Sequence, residues 1–63
     1  MIRMLKIIVW KNVRTNNWEC VIRDRVGKLE WKLAPAFKTK EEAIAYASSM
    51  LQIAGFAWEV IEL

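Results

Sequence analysis

The chain has 63 residues, a length that predicts one small domain spanning residues 1–63. Its single cysteine, Cys20, excludes an intrachain disulfide, and with no histidine present an ordinary zinc site is not expected. Hydrophobic residues make up 56% of the sequence, so the stability of so short a chain is expected to come from dense apolar packing or from self-association.

The charges are distributed unevenly along the chain. All ten basic residues lie between Arg3 and Lys40, whereas residues 41–63 carry four glutamates and no Lys or Arg. The first part has a net charge of +7 and the remainder −4. Such an asymmetry indicates an anionic partner as one class of function.

The N-terminal segment resembles neither a signal peptide nor a membrane span. Its uninterrupted apolar run extends only from Ile7 to Trp10. A signal peptide needs about 7–15 apolar residues and a membrane-spanning helix about 20. We therefore expect a cytoplasmic protein with Cys20 reduced and no membrane partner.

The first predicted strand covers roughly residues 3–13 and is apolar on both faces. One face carries Leu5, Ile7 and Val9, and the other carries Met4, Ile8 and Trp10. A strand of this kind favours a central position in a sheet. Asn16 and Asn17 then favour a turn.

Two alternating segments, residues 18–22 and 29–33, predict a β-hairpin around a four-residue turn at residues 24–27. This turn length sets the expected register. It places Ile22 opposite Leu29, Cys20 opposite Trp31 and Trp18 opposite Leu33, with Glu19 opposite Lys32 on the other face. Trp18, Trp31 and Trp58 are expected in the core.

Pro35 is expected to end the third strand, because proline cannot donate to a sheet. Thr39 and Glu42 then predict the capped start of a helix. Gly55 is expected to end that helix, and residues 56–63 form a last strand. The inward stripe of the helix is expected to consist of Ala43, Ala47, Met50, Leu51 and Ala54.

The predicted fold class is therefore α+β, with element order β-β-β-α-β. A right-handed crossover through the helix would lay the last strand parallel to the first. This gives one four-stranded, mostly antiparallel sheet in the order 4-1-2-3, with one helix packed on one face.

The sequence gives little reason to expect catalysis. No histidine is available near neutral pH, and Ser48 and Ser49 lie on the predicted helix with no base in sequence reach. Cys20 lies on the apolar face between two tryptophans, where a thiol behaves as a small hydrophobic group. With only Gly27 and Gly55 there is no phosphate-binding glycine loop. We expect no enzyme activity, no cofactor and no small-molecule substrate.

Basic residues near the hairpin provide a candidate nucleic-acid surface. Five of them are expected to form a cationic strip: Arg14, Arg23, Arg25, Lys28 and Lys32. Such a strip can contact phosphates, although a solvated face partly neutralised by Glu19 and Glu30 is an equally good interpretation. Ile8 and Trp10 are the candidate residues for a protein interface, since exposed tryptophan is common at such sites.

Three segments resemble the arm-type (AP2-like) N-terminal DNA-binding domain of phage tyrosine integrases. They are Trp18-Glu-Cys-Val-Ile-Arg23, Gly27-Lys28 and Phe37-Lys-Thr39-Lys40-Glu-Glu42-Ala43. The resemblance covers roughly residues 18–47 and implies three strands packed on one helix, with Arg23 and Lys28 facing DNA. The chain departs from that pattern by its extra first and last strands.

Two functions remain open from the sequence. The first is a non-catalytic module that contacts nucleic acid through a basic sheet face and hairpin tip. The alternative is a protein-binding or inhibitor module, encoded by a phage or mobile element. It would act as a homodimer or on a partner protein through the apolar sheet face.

Overall fold

The computed structural model describes residues 4–24 and 30–63. Five elements follow one another in these residues, in the predicted order β-β-β-α-β. They are β1 (Met4–Asn12), β2 (Asn17–Arg23), β3 (Glu30–Phe37), α1 (Lys40–Ala54) and β4 (Ala57–Glu62). The predicted small α+β class, with one helix packed on a sheet, is confirmed for the described residues.

The sheet is mixed, and its described strands lie in the order β3-β2-β1-β4. β2 is antiparallel to both β1 and β3, whereas β4 runs parallel to β1. The strand that is apolar on both faces, β1, is therefore central. α1 packs on the face of the sheet that carries Leu5, Ile7 and Val9.

The turn between β1 and β2 forms where the asparagines predict it. Asn16 adopts a left-handed conformation with φ of 64°, and its amide donates to the carbonyl of Asn12 at 2.7 Å. The Asn12 side chain accepts from the amide of Arg14 at 3.0 Å. Asparagine tolerates this backbone region because its short side chain bonds the nearby main chain.

The predicted register of the second hairpin is wrong by two residues. Ile22 pairs with Trp31 and Cys20 pairs with Leu33, so Trp31 does not lie opposite Cys20. Lys32 pairs with Val21 and not with Glu19. A shift of two leaves every side chain on its predicted face, so the apolar alternation cannot detect it. The predicted turn at residues 24–27 falls mostly outside the described residues.

Pro35 does not end the third strand, because β3 continues to Phe37. The β2–β3 register shifts between the Cys20–Leu33 pair and the Trp18–Phe37 pair. Over this interval β3 advances by more residues than β2, which is the mark of a bulge. Proline is tolerated at bulges and in edge strands, and β3 is an edge of the described sheet.

The predicted helix boundaries are confirmed by their caps. The Thr39 hydroxyl accepts from the amide of Glu42 at 3.1 Å. At the other end Gly55 has φ of +84° and donates to Gln52, while the amide of Phe56 donates to the Leu51 carbonyl at 2.9 Å. This is a Schellman ending, which needs a residue that accepts positive φ. Within the described chain, no helix combines the length and apolarity needed to cross a membrane.

The main core lies between the sheet and α1. It consists of eight buried residues: Leu5, Ile7, Val9, Cys20, Ile22, Ala43, Ala47 and Leu51. Burying a side chain the size of Ile7 or Ile22 contributes about 1.5–3 kcal/mol to stability. Alanines at 43 and 47 let the helix backbone come close to the sheet, and the Cys20 Sγ lies 3.8 Å from the Ala43 carbonyl oxygen.

Not every residue expected in this core lies there. Trp18 and Trp58 are half-buried and pack against it, as predicted. Trp31 is 46% exposed, and Met50 and Ala54 are also exposed, so their assignment to the core was wrong. The buried face of α1 is narrow because it is formed by the alanines and Leu51.

Candidate interaction surface on the open face of the sheet

The sheet face opposite α1 contains most of the described candidate residues, and we call it the open face. Strand alternation places Lys6, Ile8 and Trp10 of β1 on this face, since Leu5, Ile7 and Val9 point to the helix. The residues paired with them in β2 and β4 share the face. The open face therefore presents cross-strand rows whose composition can be read from the register.

One row is charged and crosses all four strands. In order from β4 to β3 it contains Glu59, Lys6, Arg23 and Glu30. Arg23 and Glu30 form an ion pair, in which Arg23 Nε donates to Glu30 Oε2 at 2.9 Å. Both side chains are about half exposed, so this pair contributes at most about 1 kcal/mol to stability.

The next row is apolar across three strands, with Ile61, Ile8 and Val21 side by side. Ile8 is only 8% exposed and Val21 only 5% exposed, although α1 lies on the other side of the sheet. Side chains of the same face must therefore cover them. These two residues lie outside the main core cluster and form a second, smaller buried group.

A depression of about 390 Å³ opens above this second group. Its lining comprises Ile8, Val21, Trp10, Leu63, Arg23 and Glu30. Leu63 is brought there by the parallel pairing of β4, and its amide donates to the Val9 carbonyl at 3.0 Å. The depression combines an apolar floor, a half-buried tryptophan and an ion pair at its rim.

The structure does not gather the predicted cationic strip into one surface. Arg23 lies on the open face in the ion pair, and Lys32 is exposed beside Val21 in the next row. Arg14 lies in the turn before β2, about 20 Å from Arg23 at the ~3.4 Å rise of a strand residue. Arg25 and Lys28 lie outside the described residues.

The charges of the open face balance within the described residues. Three are basic: Lys6, Arg23 and Lys32. Three are acidic: Glu19, Glu30 and Glu59. On this face Glu19 also accepts from the Asn12 side-chain amide at 2.8 Å. The sequence alone suggested a basic surface here, but the register places acidic side chains among the basic ones.

The acidic C-terminal part of the chain also meets the basic part on the helix side. Lys40 at the start of α1 donates to Glu62 of β4 at 2.9 Å. That hydrogen bond raises the pKa of the Lys40 ammonium above its usual value. Two regions of opposite charge in sequence are therefore interleaved in the fold.

The surroundings of Cys20 disfavour a reactive thiol. Cys20 is fully buried on the helix side, and burial raises the pKa of its thiol, which disfavours the reactive thiolate. Among the described residues, no group of three His, Cys, Asp or Glu side chains is placed to hold a metal ion.

Sequence reasoning identified Ile8 and Trp10 but did not name three other residues that complete the surface: Val21, Ile61 and Leu63. The signal was available, because the predicted parallel pairing of the last strand places its alternate residues beside Ile8 and Trp10.

Comparison with protein-family models, with curated proteins and with solved structures returns no match.

Proposed function

We propose that the protein is a small non-catalytic binding module that binds a partner protein through the open face of its sheet. The observation that carries the proposal is the depression above Ile8 and Val21, with Trp10 and Leu63 on one side and the Arg23–Glu30 pair at its rim. Tryptophan and arginine around an apolar pocket are typical of residues that dominate protein-binding energy.

The chemistry of the depression indicates the type of partner. An apolar side chain of a partner segment fits the floor, and the ion pair offers polar contacts to that segment's main chain. The balanced charge of the described open face supports a protein over a polyphosphate, which needs a clear excess of cations. We place this function in the cytoplasm, consistent with a buried cysteine thiol.

Selection from a displayed peptide library tests this proposal. We expect peptides carrying an apolar anchor to bind the wild-type protein and to lose about 30-fold in affinity against Trp10→Ala, the value of a 2 kcal/mol hot spot. Trp31→Ala is the matched control, since Trp31 lies on the opposite face of the sheet and is also partly exposed. Its affinity for the same peptides should stay within about twofold of wild type.

The same selection contains the outcomes that would reject the proposal. It is rejected if the library yields no peptide that prefers wild type to Trp10→Ala. It is also rejected if Trp31→Ala weakens the selected peptides as much as Trp10→Ala does. Circular dichroism of both variants confirms that each retains the fold.

Nucleic-acid binding is the second candidate, and it is favoured by exposed cations at the end of the sheet near the first turn. Lys11 and Arg14 are both exposed there, and the whole chain has a net charge of +3. Fluorescence anisotropy with a labelled DNA duplex at two salt concentrations tests it. Binding should weaken with salt, and Arg14→Ala should reduce the salt slope by about one. An absence of binding at low salt would remove this candidate.

A further inference from the structure

The exposed side of α1 is unusual for a helix on a protein surface. From Ala43 to Ala54 the helix contains no charged residue. Its buried side is formed by Ala43, Ala47 and Leu51, and about a quarter of a turn around the helix Tyr46, Met50 and Ile53 form a second apolar side that is exposed. An apolar stripe on a helix normally packs against another surface. The exposed apolar side therefore calls for a partner surface.

This side of α1 continues onto β3 as one apolar patch. We call it the α1/β3 patch, and its large members are Trp31, Tyr46, Met50 and Ile53, with Phe37 at the end of β3 beside the helix. The Tyr46 ring packs on Phe37 with a centroid distance of 5.4 Å. Depressions of about 500 Å³ and 380 Å³ lie on either side of Met50.

The exposed area of the patch is large for a chain of this size. Ile53 is 89% exposed, and the other three large side chains are a little under half exposed. Together they expose roughly 450 Å², taking about 200 Å² for a fully exposed side chain of this size. The largest apolar patch on a typical monomer is about 300–600 Å² and is often functional.

We infer that the α1/β3 patch binds a second copy of this chain, with the two α1 helices packed antiparallel about a two-fold axis. The lining of the groove beside Tyr46 contains a single charged residue, Glu42, at the helix start. A charged partner helix would find no matching charges along the rest of the groove, which therefore favours a neutral apolar stripe. The chain itself carries one.

The spacing of the stripe suits a two-fold axis. Tyr46, Ser49, Met50 and Ile53 follow one another at steps of three, one and three residues and lie on one side of the helix. An axis between positions 49 and 50 places Tyr46 against Ile53 of the second copy. It also places the small Ser49 against Met50 of that copy, so each large side chain has space.

The charges also favour the antiparallel arrangement. The acids of the helix, Glu41 and Glu42, both lie in its first turn. Antiparallel packing puts the two acidic turns at opposite ends of the interface, whereas parallel packing would bring them together. The large exposed side chains supply only part of the ~800 Å² per partner that a standard interface buries. We therefore expect a weak dimer with a dissociation constant in the micromolar range, on the order of 10–100 μM.

Sedimentation equilibrium over a range of concentrations tests the inference with the full chain. Wild type should shift from the 7.4 kDa monomer to twice that mass as concentration rises. Ile53→Lys should remain a monomer, with at least a tenfold weaker association. This change adds a cation to a last helical turn that has no basic residue, so it favours the helix and cannot act by unfolding it.

Val13→Lys is the matched control, since Val13 is 87% exposed in the turn between β1 and β2 and belongs to neither α1 nor β3. It should dimerise like wild type. The inference is overturned if wild type stays a monomer at millimolar concentration, or if Ile53→Lys dimerises normally. It is equally overturned if Trp10→Ala abolishes the dimer while Ile53→Lys does not, because association would then use the open face.

Discussion

Replacing Ala43 with leucine tests how closely α1 lies on the sheet. Ala43 is fully buried, and its carbonyl oxygen lies 3.8 Å from the Cys20 Sγ. At that separation the helix backbone is in contact with a sheet side chain. The three additional carbon atoms of leucine therefore have no space unless the helix moves away from β2.

The expected cost follows from the size of the clash. Overpacking a close-packed core typically costs about 1–3 kcal/mol, and the contact at Cys20 places Ala43→Leu at the upper end of that range. A domain of this length has a free energy of unfolding of about 3–9 kcal/mol. A loss of about 2–3 kcal/mol lowers the melting temperature by roughly 10–20 °C, at about 4–8 °C per kcal/mol.

Urea unfolding monitored by tryptophan fluorescence provides the measurement, with Ala45→Leu as the control. Ala45 lies on the same helix but is exposed, and alanine and leucine have similar helix propensities. We expect Ala45→Leu to change the free energy of unfolding by no more than about 0.5 kcal/mol. If Ala43→Leu also stays within that limit, the close helix–sheet contact inferred here is refuted.

Four further predictions concern single features of the fold. Gly55→Ala should lower the free energy of unfolding by about 1–2 kcal/mol, because φ is +84° there and nothing lies near the added carbon to clash with it. Gly55→Asn should cost less, because asparagine tolerates the left-handed backbone conformation better than alanine does. Cys20 should react with a thiol reagent only as fast as the protein unfolds, and rapid reaction of the native protein would contradict its burial. Burial raises the pKa of this thiol, so as pH rises the unfolded chain loses the thiol proton before the folded protein does. The free energy of unfolding should therefore fall as pH rises above 9.0, the ordinary pKa of the thiol, and Cys20→Ala should remove that dependence on pH. A double-mutant cycle of Arg23→Met and Glu30→Gln should give a coupling of about 0.5 kcal/mol that shrinks with salt, whereas a zero coupling at low salt would contradict a stabilising Arg23–Glu30 pair.

Local signals in the sequence were sufficient to predict the order of the helix and the strands and the two ends of α1. Thr39 and Gly55 cap α1 as predicted, and Asn16 takes the left-handed conformation in the first turn. These features depend on a few neighbouring residues, whose backbone preferences act over one turn. The apolar alternation of β1 and β2 likewise assigned their side chains to the correct faces.

The β2–β3 register could not be read from the same alternation. Trp31 pairs with Ile22 and not with Cys20, and both registers place Trp31 on the helix side of the sheet. Only the length of the connection and the bulge near Pro35 distinguish them. Sequence reasoning placed Trp31 and Met50 in the core. The observed register and the narrow buried face of α1 instead leave the two side chains next to each other in the α1/β3 patch.

The candidate surfaces were also predicted only in part from the sequence. The open face was predicted as apolar near Ile8 and Trp10, and the structure adds Val21 from β2 and Leu63 from the end of the chain. The residues of the predicted cationic strip do not share one surface, because Arg14 precedes β2 and Arg23 lies at its far end. Each residue of a strand adds about 3.4 Å to the distance between its ends. The number of residues between two cations therefore gives their separation only once the strand between them is known.

By itself the sequence determined the order of the elements, the two faces of the central strand and the caps of the helix, because these depend on local backbone chemistry and on side-chain period. The tertiary structure alone decided which charges meet. The sequence separates ten cations in its first forty residues from four glutamates in the rest, but the parallel pairing of β4 with β1 sets Glu59 beside Lys6. The start of α1 likewise meets Glu62 through Lys40. The sequence predicts that the last strand lies parallel to the first, but the residue-by-residue register of that pairing and the position of the helix start depend on how the elements pack.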